Sequence, residues 1–444
     1  MKNYDFDINK FDLYNPPNDL VENSYHYYSL LRKNNPIHKN PDGSFIVTSY
    51  DALVEIYRNN NLWSSDKKKE FKPKFGNSSL YEHHTTSVVF IDQPDHTRIR
   101  KIFQHAFTPR ALAHIESNVE KLVKNYISEL KEKKVIEFVS DFSFRLPVDV
   151  VCDMLGVPKE DRTLIRDWAR LILGALEPTL TDEQFKKGCD AVSNFKTYLK
   201  DQVALRKRRP ELNRDGEIIS TLIEAQSSGF ELSEVELLHQ CIFMLNAGHE
   251  TSTNMLSHGI HEFINNKDEL KSLRDNENYI GSAVEEILRF QPPIQVNNRT
   301  NKKGTSLGNV KIPEGSSVHM IIAAANRDPN QFNYPNKFKI SRQPNRHLSF
   351  GLGIHICAGN TLARIEGKVA FLSLIRAFKD FNLVKKPKIA NRIRFREIEK
   401  LEIKYKALLK EAYDLSKTSR SESDKKTFEA EEVSKQIEKL KEKK

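Results

Sequence analysis

A mainly α-helical fold with small β-sheets is predicted by three features of the chain. Helix-period patterns dominate its length, one helix is long and apolar enough to form an internal spine, and the strand signals are short and scattered. The spine begins near Ser233, where Glu236 stands three residues on as a reciprocal cap partner, and it can run to about Asn265. At about 1.5 Å per residue such a helix is on the order of 45–50 Å long, enough to cross a whole domain. Its middle, from Cys241 to Leu245, is apolar on every side, which predicts burial.

The other elements follow in chain order. Residues 45–48 read as a strand, and Thr48-Ser49-Tyr50-Asp51 has the spacing of a capping box opening the next helix. Helices are expected over 97–107 and 119–131. Another runs over 279–290 and is stopped by Pro292-Pro293. Strands near 310–312 and 318–323 flank a turn at Pro313-Glu314-Gly315. A loop rich in Pro and Asn covers 326–346, and a last helix starts near Ala358. From about Ser416 the chain is low-complexity Lys/Glu/Ser sequence.

Of the 444 residues 38% are hydrophobic and 29% charged, which suits a large core under a strongly charged surface. The net charge is +10, and the acids and bases of 411–444 balance, so the excess lies in the body. A basic body attracts an acidic protein, an anionic membrane or nucleic acid, but no nucleic-acid-binding motif is present. No apolar run approaches the roughly 20 residues of a membrane helix, so no membrane anchor is expected. The N-terminus has no signal-peptide pattern. Cys152, Cys189, Cys241 and Cys357 are far apart without paired spacing, which argues against a disulfide framework or zinc cluster and predicts a reducing cytoplasm.

The strongest chemical signal is Phe350-Gly351-Leu352-Gly353-Ile354-His355-Ile356-Cys357-Ala358-Gly359. Glycines around one cysteine predict backbone packed close against something, in turns that need positive φ. The cysteine sits where a helix begins, and free N–H groups and the helix dipole there favour a thiolate, the form a soft metal ligand takes. In the spine lies Ala247-Gly248-His249-Glu250-Thr251-Ser252. A mid-helix glycine, with a threonine able to bond back to the carbonyl four residues earlier, suggests a local opening over a ligand. An acid beside an alcohol in a buried groove can relay protons. Glu286-Ile287-Leu288-Arg289 puts an acid and a base on one helix face.

The phenylalanine-glycine-cysteine loop resembles the cysteine-ligand loop of the cytochromes P-450 at every defining position. The order of the other segments is similar too, over roughly residues 10 to 408. The resemblance implies the triangular prism of that family, of the soluble bacterial type, with residues 1–410 as one haem-thiolate catalytic domain and 411–444 as a charged tail. It implies haem b, with Cys357 as the ligand of the iron and Phe350 beside the sulfur. Ala247, Gly248, Gly351 and Gly359 would then line the haem, and Glu250 and Thr251 would deliver protons during oxygen activation. Glu286, Arg289 and Arg342 would form a structural ion cluster, and His96, Arg100, Arg299 and His347 would hold the two haem propionates. Arg98 and Lys101, on other faces of their helix, would meet solvent or a partner. Ala324-Ala325-Asn326-Arg327-Asp328-Pro329 and Ala106-Phe107-Thr108-Pro109-Arg110 also look like family segments, whereas Arg396-Glu397-Ile398 departs from the Arg-Gly-Leu common in bacterial members.

The implied reaction is insertion of one oxygen atom from O2 into a C–H or C=C bond of a small hydrophobic substrate such as a lipid, terpenoid or sterol-like molecule. Electrons would come from NAD(P)H through a reductase and an acidic ferredoxin or flavodoxin. That donor would dock near Lys101, Arg110, Arg364 and Lys368. An H2O2-driven peroxygenase is a rival that the Glu250–Thr251 pair argues against, and a non-catalytic haem protein that binds a ligand is another. Segments 75–90, 165–185, 240–247 and 292–298 are the candidate pocket walls.

Overall fold

The computed structural model describes residues 6–106, 109–177, 180–212, 217–229, 231–406 and 427. The 411–444 segment, apart from 427, and residues 107–108 of the Ala106–Arg110 segment lie outside the described residues. The helices are α1 (Leu20–Asn34), α2 (Tyr50–Arg58), α3 (Lys68–Phe75), α4 (Ser79–Thr86), α5 (Asp95–Ala106), α6 (Pro109–Lys131), α7 (Arg145–Leu155), α8 (Arg162–Gly174), α9 (Asp182–Arg208), α10 (Ile218–Ser227), α11 (Glu234–Asn265), α12 (Lys267–Asp275), α13 (Ile280–Phe290), α14 (Ile322–Ala325) and α15 (Asn360–Ala377). The strands are β1 (Ile37–Lys39), β2 (Phe45–Val47), β3 (Trp63–Ser64), β4 (Ile136–Glu137), β5 (Val296–Asn301), β6 (Thr305–Leu307), β7 (Val310–Ile312), β8 (Ser317–Ile321), β9 (Asp380–Leu383), β10 (Lys388–Ile389), β11 (Ile398–Lys400) and β12 (Glu402–Lys406).

The spine is α11. Its 32 residues begin with the expected capping box: Ser233 Oγ accepts from Glu236 N at 3.2 Å, and the Glu236 carboxylate accepts from Ser233 N at 2.9 Å. Helices α7, α8, α9, α13 and α15 pack around it, so it is buried on nearly all sides from Leu237 to Ile264. The main sheet has the order β1-β2-β8-β5-β3, with β2 and β8 parallel and the other pairs antiparallel. Under it Phe45, Val47, Trp63, Met320 and Leu348 form a core of their own. The N-terminal segment closes a third cluster through Phe11, Tyr27, Tyr28 and Leu31.

Three local expectations differ from the structure. Thr48, the cap of the expected box, donates its hydroxyl to Pro36 O at 3.1 Å; Ser49 stands at the N-cap without a side-chain bond, and Asp328, in a distant loop, accepts from Tyr50 N at 2.9 Å and caps α2 instead. Helix α6 starts at Pro109, ten residues before the strongest apolar pattern, and packs against α7 and α15. The strands at 310–312 and 317–321 do not pair with each other: β7 pairs with β6, and β8 with β2 and β5.

Candidate functional site

The cysteine loop is held from behind by a buried ion cluster. Glu286 and Arg289 on α13 are both fully buried, with Arg289 Nε and Nη2 each 2.8 Å from the Glu286 carboxylate. Arg342 Nε adds contacts at 3.0 and 3.2 Å. The two guanidinium groups also donate to the carbonyls of Asn326, Asn333, Tyr334, Pro335 and Lys337, which fixes the stretch leading into the loop. Asn326 Oδ1 then accepts from Leu348 N at 2.8 Å, and Ser349 Oγ donates to Leu288 O at 2.7 Å.

Within the loop, Gly353 has φ +70°, and a Cβ there would lie 2.5 Å from the Tyr57 carbonyl oxygen, so no other residue fits without moving α2. Cys357 N donates to Phe350 O at 2.9 Å, which closes the loop beside the start of α15. The Gly359 amide donates to the Cys357 sulfur. Burial pushes the thiol up, against that amide and the charges of Arg100 and Arg364, which act to lower it. A cysteine in this balance is a thiolate when a cation binds it and an inert thiol otherwise. Phe350 is covered by the Arg364 guanidinium 4.6 Å from its ring, and Arg364 is itself held by Glu285 at 2.6 and 2.9 Å. Arg364 is therefore a structural cation rather than a free docking charge, while Lys101 and Lys368 are exposed. Arg98 also differs from expectation: it pairs with Glu236 and Asp95 and ties α5 to the start of α11. The Arg110 side chain lies outside the described residues.

Ala247 is exposed although its neighbours along α11 are buried, and Thr251, one turn on, is half-buried. This leaves an uncovered space along α11 although α7, α8, α9, α13 and α15 pack against the helix. The Thr251 hydroxyl donates to Ala247 O at 2.8 Å, the back-bond anticipated from its sequence. Gly248 does not face this space. A Cβ there would lie 2.7 Å from Val151 Cγ2, so this glycine lets α7 approach α11 and the expected opening over a ligand is corrected to a packing contact. His249 is buried with its ring edge-on to Phe144 at 4.5 Å, and burial lowers it to about 3.

Glu250 is buried and its carboxylate is bonded to Arg392, which also meets Glu177 and Glu397 at 2.9 Å each. Burial outweighs the Arg392 charge, and Glu397 and Glu177 add to it, so Glu250 is raised to about 7. The departure at Glu397 is thus part of a carboxylate set gathered on one arginine. A second buried acid, unnoticed in the sequence, is Glu366 on α15: Ser252 Oγ donates to its Oε2, its Oε1 has no partner, and burial raises it to about 8. Its folded value lies above its unfolded one, so the folded state holds the extra proton between about pH 4.5 and 8 and stability falls as pH rises through that window. Glu366→Gln should remove this slope. Denaturation midpoints at pH 5 and pH 8 should differ less in the variant than in the parent, and equal pH dependence would contradict a buried, protonated Glu366.

Beside the loop, His96 on α5 and His355 lie with ring centroids 4.0 Å apart and ring planes tilted by 49°. Arg100 donates to Ile356 O, and Arg299 on β5 bonds the Asn298 carbonyl at 2.9 Å. Burial and the neighbouring arginines lower His96 to about 4 and His355 to about 2. Both ring nitrogens of His96 are buried without a partner, and the Arg299 guanidinium lies 5.7 Å from the centre of the Tyr57 ring. The acid that acts on this group is Asp92, already bonded to Ser64, Ser65 and Lys302. His347, expected here, is committed elsewhere: its Nε2 lies 3.2 Å from Glu285, and its Nδ1 accepts from Ser349 N. His355, two residues before the cysteine, stands with the cations instead.

A model of the family described as Cytochrome P450 matches residues 36–401. The biotin biosynthesis cytochrome P450 of Bacillus subtilis (strain 168) is 32% identical over 371 residues, covering 82% of this chain and 91% of that protein. The vitamin D(3) 25-hydroxylase of Pseudonocardia autotrophica is 30% identical over 353 residues, or 79% of this chain and 85% of that one. Among solved structures, P450BioI in complex with hexadec-9Z-enoic acid ligated acyl carrier protein superposes with a TM-score of 0.82 at 31% identity, covering 87% of this chain and all of that one. CYP109E1 from Bacillus megaterium in complex with testosterone gives a TM-score of 0.79 at 30% identity, over 87% of this chain and 98% of that one.

Proposed function

The chain belongs to the cytochrome P450 family, whose members are haem monooxygenases, and on that premise we propose that it inserts one oxygen atom of O2 into a C–H or C=C bond of an apolar molecule. The observation that carries this reading is a cluster of two arginines and two histidines beside the cysteine loop, whose nearest acid, Asp92, is already engaged by Ser64, Ser65 and Lys302. Both ring nitrogens of His96 lack a partner there, His355 lies against it, and Arg100 and Arg299 bond the backbone carbonyls of Ile356 and Asn298. Burying such groups unpaired is costly, and two carboxylates on the rim of a flat apolar ring would satisfy them. Haem b fits that description; Cys357 Sγ would hold its iron, and Gly351, Gly359 and Ala247 would line it. Bound through a thiolate, haem supplies dioxygen activation at its iron.

The chain's own residues then hold and move protons. Thr251 Oγ1 is fixed by its bond to Ala247 O, and both residues lie where α11 is not fully covered. Glu250 and Glu366 keep protons near neutral pH because burial raises both. Thr251→Ala should therefore retain haem and substrate but lose coupling. Product formed per NAD(P)H oxidised should fall by about 10-fold, short of the roughly 100-fold or more a positioned proton donor commonly contributes, since water replaces part of the relay. Peroxide release should rise to match. Coupling equal to the parent's would remove Thr251 from the reading.

Electrons come from a redox partner, as in the family, and the basic body with exposed Lys101 and Lys368 suits an acidic ferredoxin or flavodoxin. Residues 1–410 form the catalytic domain; the N-terminal segment, ahead of the family match, closes the core through Phe11 and Leu13. Among the described residues no helix is long and apolar enough to cross a membrane. A lipid, terpenoid or sterol-like substrate agrees with the fatty acyl group and the steroid in the related structures.

A further inference from the structure

Residues 293–295 and 394–396 run side by side next to the start of β5. Gln295 N donates to Arg394 O at 2.8 Å, Arg396 N to Pro293 O at 3.2 Å, and Ile294 bridges Phe395. Arg396 turns outward to Ser24 and the Tyr25 ring, whereas Arg394 points inward. Its charge acts on Lys67, Glu70 and Lys74 around α3, His84 on α4 and His319 on β8. The groups that act on it in turn are Glu177, Glu70 and Tyr14. Although it lies this deep, Arg394 is partly open, and its guanidinium makes no hydrogen bond or ion pair among the described residues.

The acids nearby are already engaged. Glu70 takes Lys67 Nζ at 2.7 Å and Asn298 Nδ2 at 2.9 Å. Glu177 takes Arg392 Nε at 2.9 Å through Oε1 and Ile393 N at 3.4 Å through Oε2. Lys74 donates to the backbone carbonyls of Ala175 and Glu177. His84 is 2% exposed, and its Nε2 is buried without a partner. An unpaired Arg394 guanidinium thus lies among the proposed pocket segments 75–90, 165–185 and 292–298, next in the chain to Phe395, which pairs with Ile294, and its charge reaches the unpartnered His84. A planar guanidinium offers paired donors that match a carboxylate, and an enclosed one left unpaired is costly.

We propose that Arg394 anchors a carboxylate at the end of an otherwise apolar substrate, so that this enzyme selects amphiphilic acids over neutral molecules of the same length. This rests on the monooxygenase reading and narrows its substrate class. The alternative role for Arg394, a cation solvated by channel water, would not distinguish an acid from its ester.

The test uses the haem-loaded full chain with dodecanoate and methyl dodecanoate, their binding followed by calorimetry and by the haem absorption shift. The parent protein should bind the acid at least about 10-fold more tightly than the ester. Arg394→Gln should weaken the acid by about 10- to 100-fold and leave the ester within about 2-fold; Arg394→Lys, which keeps the charge but not the fork, should fall between. Unchanged ester binding separates a lost anchor from a damaged fold. Equal binding of acid and ester by the parent, failure of the acid to bind, or an acid preference that survives in Arg394→Gln would overturn the proposal. The red-shifted band of the reduced carbonyl complex, recorded on the same preparations, separates the two readings. A protein with the band but no acid preference refutes the anchor alone, and a parent without the band refutes the haem-thiolate reading beneath it.

Discussion

Glu286→Ala should destabilise the protein by about 3–5 kcal/mol, the range for breaking a buried charge pair by removing one partner. The substitution removes one carboxylate and strands two guanidinium groups, because Arg289 and Arg342 both bond it at a site that is fully buried on α13. It also frees Lys339 N and Asn345 Nδ2, which donate to the same carboxylate at 2.8 and 3.2 Å. The segment 333–345 would lose its attachment to α13, and with it the support of the cysteine loop. The expected result is little folded protein with poor haem retention, read from soluble yield and a denaturation midpoint. Glu286→Gln, which keeps the shape and part of the hydrogen bonding, should lie between parent and alanine variant. A midpoint for Glu286→Ala within about 1 kcal/mol of the parent's would mean that these ions are surface-like in their effect, against their burial.

Local signals and long-range ones differed in how well the sequence displayed them. The start of α11 was readable because both start signals, Ser233 and Glu236, sit within one turn and the apolar stretch Cys241 to Leu245 follows them. Arg342 was joined to the Glu286–Arg289 pair only by the order of segments the family shares, whereas that pair and the cysteine loop were readable because their residues lie close in sequence. The cap of α2 was not, since its acceptor, Asp328, is brought up by the parallel pairing of β2 with β8. Gly248 was misread for a related reason: an opening over a ligand and a close approach of a second helix both call for glycine, and only the position of Val151 separates them. The partners of Glu250 were hidden because Arg392, Glu177 and Glu397 come from separate segments that meet only after folding. His355 was in plain view in the loop, but its place among the cations depends on its contact with His96, which no spacing reveals. Glu366 was passed over because an acid on an amphipathic helix is ordinarily exposed, and here Gly367 and Val284 bring the helices close enough to bury it.

The central claim is that Cys357 holds the haem iron as a thiolate. The Gly359 amide and the charges of Arg100 and Arg364 favour that form, and burial keeps a thiol from taking it without a cation. An axial thiolate is what gives the reduced carbonyl complex its red-shifted absorption band, so the band reports on the Cys357 sulfur directly. Cys357→Ser and Cys357→His change this one ligand while the loop's backbone bond from residue 357 to Phe350 O remains available. The absorption spectrum of the reduced, carbon monoxide-treated protein should show the red-shifted band in the parent and lose it completely in both variants. In Cys357→His it should give way to a band typical of nitrogen ligation. Persistence of the red-shifted band in either variant would contradict the assignment of Cys357 and the account built on it.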